Sequence, residues 1–124
     1  MKKDNLIVDK SFEFALLILD LYKKLKEEKE FDISRQVMRS GTSIGANINE
    51  AIAGESKKDF IHKLSISLKE AHETVYWLKL IKLSNITEIN VDKHLEEAQR
   101  LIRILTSIIV TSKKNLKQKA TSKT

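Results

Sequence analysis

The sequence lacks cysteine and proline altogether, and it holds only three glycines, one tryptophan, two tyrosines and four phenylalanines. Without cysteine, the chain has no disulfide, no thiolate metal site and no thiol nucleophile. Proline and glycine usually form the turns that end short strands, so the absence of proline and the small number of glycines favour long helices. No apolar run is long enough for a membrane span or a secretory signal, and we therefore expect a cytoplasmic protein.

The 124 residues, 41% hydrophobic and 32% charged, suit a single domain with one ordinary core. The net charge of +6 is concentrated at the C-terminus. The last twelve residues contain five lysines and no acid, whereas residues 1–112 carry 18 basic and 17 acidic side chains. Five lysines without interleaved aromatics are typical of a solvated helix end that complements the helix dipole, and a loose contact with a polyanion is the alternative.

The helical spacing of apolar residues predicts four helices within one domain, residues 1–124. Their expected bounds are about 9–29, 33–53, 57–83 and 91–115, and a basic tail covers residues 113–124. The expected N-caps are Asp9 or Ser11, Asp32 or Ser34, Ser56 and Asn90. Short links between long helices make neighbours antiparallel. The sequence therefore predicts an all-α protein, an antiparallel up-down-up-down four-helix bundle.

The first helix is apolar over more than half of its circumference. One stripe is formed by Phe12, Ala15, Leu16, Leu19 and Tyr22, and the adjoining arc by Phe14, Leu17, Ile18, Leu21 and Leu25. A helix that faces one core needs a stripe of only about 100°, so we expect a second partner, as in a closed homo-oligomer. The candidate oligomer contacts are Phe14, Leu17, Ile18, Leu21, Ile66 and Trp77.

A seam of short polar side chains with an arginine beside it runs along the second helix: Gln36, Arg39, Ser40, Ser43, Asn47 and Glu50. Surface helices normally carry long charged side chains opposite the core, so this seam predicts the close approach of another backbone. We interpret it as an internal hydrogen-bond network, in which Arg39 and Glu50 satisfy groups on neighbouring helices, in preference to a ligand site. Gly41 and Gly45 each cost about 1 kcal/mol relative to alanine in this helix, and they need a packing reason or mark a kink.

The three histidines do not form a recognisable metal or catalytic site. Asp59 precedes His62 by three residues, but one such pair near a helix start is typical of a cap and a surface histidine. Glu70 and Glu73 flank His72, and acidic residues at this spacing are typical of a solvated helix face. Since no nucleophile or electrophile accompanies them, we predict a non-enzymatic protein with no metal and no cofactor.

The seam also carries a family resemblance. The pattern Gln36-x-x-Arg39-Ser40-x-x-Ser43-Ile44-x-x-Asn47-Ile48-x-Glu50, followed by Ser56-x-x-Asp59-Phe60 and a long helix with Glu73, resembles the four-helix bundle proteins of the 23S ribosomal RNA intervening-sequence family. The resemblance covers nearly the whole chain. Members are encoded in sequences inserted within bacterial ribosomal RNA genes or elsewhere in bacterial genomes. The family in turn resembles the accessory protein of diversity-generating retroelements, a basic pentameric bundle that works with a reverse transcriptase and nucleic acid.

This resemblance implies a homopentamer with a ribonucleoprotein role. The chain departs from the family pattern at Gly45, where members commonly have proline, and at Glu50-Ala51, where they have Glu-Gly. Glycine still permits a kink or a close contact at residue 45, though less rigidly than proline.

Two functions from different classes remain open. In the first, the oligomer is a scaffold for RNA or DNA whose lysines contact phosphates without reading sequence. The candidate phosphate contacts are Lys23, Lys24, Lys57, Lys58, Lys113, Lys114, Lys117 and Lys119. In the second, the bundle is a structural module or binds another protein, and the lysines only keep it soluble. No membrane partner is expected.

Overall fold

The fold consists of four helices. The computed structural model describes the backbone of residues 2–122 and the side chains of residues 6–119, and no strand occurs among them. The helices are α1 (Lys2–Glu27), α2 (Phe31–Ala53), α3 (Lys57–Ser84) and α4 (Asp92–Ser122). The prediction of an all-α, four-helix protein is confirmed. None of the described helices carries an apolar stretch of the length that a membrane crossing requires.

Two helices extend well past their predicted ends. α1 begins seven residues earlier than expected, so that Asp9 and Ser11 lie inside the helix rather than at its N-cap. α4 continues seven residues past residue 115, through most of the predicted basic tail, whose last two residues lie outside the described residues. Ser11 is buried, and its hydroxyl donates to the Val8 carbonyl oxygen at 3.1 Å. A serine hydroxyl can donate to a carbonyl of its own helix, or it can accept from an N–H group in the first turn. The residue type alone therefore did not identify the first residue of α1.

The predicted N-cap of α3 is confirmed, whereas those of α2 are wrong. Asn90 lies two residues before the start of α4, one residue ahead of the N-cap position, and its side chain caps the first N–H of the helix. Ser56 Oγ accepts the N–H three residues on at 3.0 Å, and Asn90 Oδ1 accepts the N–H two residues on at 2.8 Å. At α2 the N-cap residue is Glu30, which makes no side-chain capping bond. Ser34 is buried one turn inside, where its hydroxyl donates to the Phe31 carbonyl oxygen at 2.9 Å. Both wrong serine caps therefore share one cause, a bond back along the same helix.

Each helix packs against two neighbours. α1 and α3 each contact both α2 and α4, so that α1 and α3 are opposite rather than adjacent in the described bundle. Three of the hydrogen bonds or ion pairs between α2 and α3 join Ser40 with Thr74, Ile44 with Ser67 and Glu50 with Lys63. Along these three pairs, the residue number on α3 falls as the residue number on α2 rises. The core is filled by aliphatic side chains of all four helices, the largest fully buried ones being Ile7, Ile18, Leu21, Leu25, Val37, Ile44, Ile48, Leu64, Leu78, Ile81, Leu101 and Leu105.

The buried face of α1 corrects the predicted oligomer contacts. Phe14, Ile18 and Leu21 lie in the core of the single bundle, so their prediction as contacts with another copy is wrong. The two apolar arcs of α1 lie side by side with the same helical spacing, and the sequence could not tell which of them faces the core. The arc left outside contains Phe12, Leu16 and Leu19. The other three candidates, which are half-buried and stay predictions, are Leu17, Ile66 and Trp77.

Candidate functional site

The polar seam of α2 faces α3, and its centre is a buried chain of hydroxyl groups. Thr74 Oγ1 donates to Ser40 Oγ at 2.9 Å, and Ser40 Oγ donates on to the Gln36 carbonyl oxygen at 3.1 Å. Ser67 Oγ donates to the Ile44 carbonyl oxygen at 2.8 Å. The three hydroxyl side chains are fully buried. Because a buried polar group without a partner costs about 1–3 kcal/mol, these paired hydroxyls favour one register of α2 against α3.

Arg39 joins α2 to α3 at the edge of the seam. Its Nη1 lies 3.1 Å from Glu70 Oε2, and its Nη2 contacts Glu73 Oε2. Trp77 Nε1 donates to the same Glu73 oxygen at 3.3 Å, and the ring of Tyr76 packs edge-on against Trp77. Half of the Arg39 side chain is exposed, so we expect each ion pair to contribute little stability. Both glutamates that flank His72 are thus ion-pair partners of Arg39.

The remaining seam residues bond within α2 or lie at its edge. Ser43 Oγ donates to the carbonyl oxygen four residues back at 2.6 Å, and Asn47 Nδ2 does the same at 2.8 Å. Glu50 Oε1 lies 3.5 Å from Lys63 Nζ on α3, and the Gln36 side chain is exposed. These bonds give the Ser43 hydroxyl and the Asn47 amide N–H partners within α2 itself. The described residues contain no cluster of three acidic, histidine or cysteine side chains that could hold a metal ion.

The glycines of α2 lie on another side of the helix, against α1. A Cβ atom at Gly41 would lie 2.9 Å from both Cγ1 and Cγ2 of Ile18, which is closer than side chains tolerate. A Cβ atom at Gly45 would lie 3.4 Å from Ser11 Oγ, an ordinary contact. Neither glycine has a positive φ. Gly41 therefore has a packing role, since its missing side chain lets α1 come close to α2.

The first group of candidate phosphate contacts lies at the end of α1. Lys23 and Lys24 are both exposed, and Lys24 forms an ion pair with Asp20 at 3.0 Å. The charge of Lys24 also acts on His94, so the end of α1 lies near the first turn of α4. One of these two lysines is thus already partly neutralised within the chain.

The second group of candidate phosphate contacts occupies the start of α3 and the last turns of α4. Its members are Lys57, Lys58, Lys113, Lys114, Lys117 and Lys119. Lys113 lies 19 residues beyond His94 on α4, about 28 Å along the helix. Lys58 lies 24 residues before Lys82 on α3, about 36 Å along that helix, and Lys82 pairs with Asp92 in the first turn of α4 at 2.8 Å. The structure therefore separates this group from the lysines of α1.

His94 is a buried polar residue whose role the sequence did not reveal. Only 8% of it is exposed, and neither ring nitrogen has a hydrogen-bond partner among the described residues. Burial lowers the pKa of His94. The carboxylate of Asp20 opposes this shift, and the charges of Lys24 and Lys93 reinforce it. A usable signal was its position seven residues before Leu101, on the core face of α4. An imidazole that must stay neutral to stay buried makes the contact between α1 and α4 sensitive to acid.

Comparison with known proteins identifies the family of this chain. The family model described as 23S rRNA-intervening sequence protein matches residues 3–107. A protein of unknown function from the S23 ribosomal protein family of Bacteroides thetaiotaomicron, with a crystal structure at 1.70 Å resolution, is 50% identical in sequence. The match has a TM-score of 0.82 and covers 86% of this chain and 97% of that one. No curated protein is significantly similar. The chain belongs to the 23S rRNA-intervening sequence protein family.

Proposed function

We propose that the protein is a non-enzymatic, closed homo-oligomeric scaffold that binds nucleic acid through phosphate contacts at one end of an antiparallel up-down-up-down bundle. The observation that carries this proposal is the position of six lysines in the first turn of α3 and the last turns of α4. The family description, which refers to a sequence inserted in 23S ribosomal RNA, supports RNA as the polyanion. Five copies in the oligomer is the number that the resemblance to the pentameric accessory protein implies.

Antiparallel packing brings the six lysines together. For α2 and α3, antiparallel packing is supported because the residue numbers of the bonded α3 residues fall as those of α2 rise. For α3 and α4, it is supported by the ion pair between Lys82 in the last turn of α3 and Asp92 in the first turn of α4. If α3 and α4 run in opposite directions from that pair, the first turn of α3 and the last turns of α4 lie at the far end of the bundle. We call Lys57, Lys58, Lys113, Lys114, Lys117 and Lys119 the basic end.

The basic end suits phosphates rather than bases. The aromatic ring that lies beside it is that of Phe60, and Lys57 Nζ is 5.6 Å from the centre of this ring. Single-stranded nucleic acid is usually held by several exposed aromatic rings on which successive bases stack. Binding by lysines alone is insensitive to sequence and depends steeply on salt, because it releases counterions from the phosphates.

We expect the full chain to bind single-stranded RNA in a way that weakens steeply as salt rises. The triple variant Lys113→Gln/Lys114→Gln/Lys117→Gln should lower the slope of log K against log salt by about 2, because each lost phosphate contact contributes about 0.7. The matched triple variant Lys23→Gln/Lys24→Gln/Lys26→Gln at the end of α1 should leave the slope unchanged. Fluorescence anisotropy with labelled RNAs of two unrelated sequences measures both. Absence of binding even at low ionic strength would refute the proposal.

A second candidate, a module that binds another protein, is favoured by exposed apolar side chains on α1 and α3. Under this alternative, deletion of residues 113–124 should leave partner capture from the native cell intact. Under the proposed function, the same deletion should remove RNA from the captured material.

A further inference from the structure

The charge of the bundle is divided unevenly between its helices. With histidine neutral, α3 and α4 together carry 13 basic and 6 acidic residues, a net charge of +7. α1 and α2 together carry 8 basic and 7 acidic residues, a net charge of +1. Arg39 of α2 also pairs with two of the acidic residues of α3, Glu70 and Glu73. The excess of positive charge therefore lies on α3 and α4, and it favours a polyanionic partner on that side of the bundle.

The outer face of α4 carries a row of basic side chains that continues beyond the basic end. From residue 98 to residue 122 the helix has no acidic residue. Within this stretch, four basic residues fall in an arc of about 100°, away from the buried Leu101 and Leu105. They are Arg100, Arg103, Lys114 and Lys117. Arg100 and Arg103 are exposed and form no ion pair within the described part of the chain, and they lengthen the basic surface by about 20 Å.

The outer face of α3 carries a second row, which consists of Lys58, His62, Lys69, His72 and Lys79. All five side chains are exposed, and at about 100° per residue they too fall in an arc of about 100°. Lys69 and Lys79 form no ion pair among the described side chains. Glu70 and Glu73 lie on another side of the helix, toward α2. No acidic residue therefore interrupts this row.

The two rows lie side by side and flank a groove. α3 and α4 are in contact, and near their joined ends a cavity is lined by Lys79 of one helix and Gln99 of the other. Packed helices lie about 8–10 Å apart. In the antiparallel bundle proposed above, equal numbers of residues are counted along both helices from the ion pair that joins them. Lys69 then comes level with residue 105, two residues past Arg103. We call the surface between the two rows the α3–α4 groove.

We infer that the phosphate backbone of a single nucleic-acid strand lies lengthwise in the α3–α4 groove, where Arg100, Arg103 and Lys69 contact it. This inference rests on the proposed function and extends its contact surface beyond the basic end. A positively charged groove that follows the backbone is a common way to hold a single strand. Arginine suits this role, because its planar guanidinium group can donate two parallel hydrogen bonds to one phosphate.

The length of the groove sets the length of strand that it holds. Arg100 and Lys117 are separated by about 26 Å along α4. At about 3.4 Å per nucleotide in a stacked strand, this distance corresponds to about eight nucleotides. The part of the basic end on α4, from Lys113 to Lys119, covers only about 9 Å. A strand bound at the basic end alone would thus leave both arginines without contact.

Salt titrations of variants in the full chain test the groove with a single-stranded RNA of about 12 nucleotides. We expect Arg100→Gln/Arg103→Gln to lower the slope of log K against log salt by about 1.4, because each lost phosphate contact contributes about 0.7. Lys69→Gln should lower it by about 0.7, since the strand contacts both walls of the groove. The matched control Lys23→Gln/Lys26→Gln removes the same charge as the arginine variant from the end of α1 and should leave the slope unchanged. Fluorescence anisotropy measures all four proteins.

The outcomes separate the groove from the proposed function beneath it. If the arginine variant binds like the wild type while Lys113→Gln/Lys114→Gln/Lys117→Gln lowers the slope, the groove is overturned and binding at the basic end stands. An unchanged slope in Lys69→Gln would place the strand on α4 alone and overturn the groove. Equal losses in the arginine variant and the α1 control would show a general effect of net charge, which also overturns it. A wild type that binds no RNA at low ionic strength overturns both proposals. Helical circular dichroism equal to that of the wild type shows that each variant has folded.

Discussion

Replacing Gly41 with alanine lowers the free energy of unfolding by up to about 2 kcal/mol, whereas Gly45→Ala leaves it unchanged or raises it by up to about 1 kcal/mol. The Cβ atom added at Gly41 would lie 2.9 Å from two carbon atoms of Ile18, which is fully buried and has a stiff, branched side chain. Overpacking of this kind costs about 1–3 kcal/mol, and the better helix propensity of alanine offsets about 1 kcal/mol of it. At Gly45 the new contact is ordinary, so the gain in propensity remains.

Urea denaturation followed by circular dichroism, at one fixed protein concentration, measures the two substitutions side by side. The fixed concentration matters because assembly contributes to the apparent stability of an oligomer. Because both glycines lie in the same helix, Gly45→Ala controls for helix propensity. Equal changes in the two variants would contradict the packing role of Gly41.

Replacing His94 with leucine removes an acid-sensitive step in stability. The pKa of His94 is lowered in the folded chain, so protonation favours the unfolded state. Stability is unaffected by this group while it is neutral in both states. It falls as the pH drops below the ordinary histidine pKa of 6.5, and the loss stops below the lowered pKa of the folded state. Relative to His94→Leu, the free energy of unfolding of the wild type should fall by up to about 1.4 kcal/mol for each unit by which the pH drops in this range.

Unfolding midpoints between pH 8 and pH 5 measure this difference. His72→Gln, which replaces an exposed histidine of α3, is the matched control. At pH 7.5, His94→Leu should be as stable as the wild type or more so, since it removes two buried nitrogen atoms that have no partner in the described structure. Parallel pH profiles for the wild type and His94→Leu would contradict this role.

The sequence predicts the number and kind of elements well, because these depend on local patterns. The apolar spacing and the lack of proline indicate four long helices, and Ser56 and Asn90 mark two helix starts with side chains that have clear capping partners. Ser11 and Ser34 failed as markers because a buried serine can bond to its own helix instead. Such a choice depends on burial, which the local sequence does not contain.

The packing of particular side chains was harder to predict, because it depends on which helices become neighbours. Two equally apolar arcs on α1 left the core face undecided, and the structure places Ile18 inside and Leu16 outside. The seam on α2 was recognisable, but its partners on α3, such as Thr74, could not be identified before the helices were placed. His94 was weighed only for a metal or a catalytic role, although its position on the apolar stripe of α4 was a local signal of burial.

The molar mass of the chain in solution tests the central claim most directly, because the proposed scaffold requires assembly. Light scattering at micromolar concentration should return a multiple of the 14.3 kDa chain mass, and five times that mass for the proposed pentamer. A mass of 14.3 kDa, that of a single chain, would contradict the account.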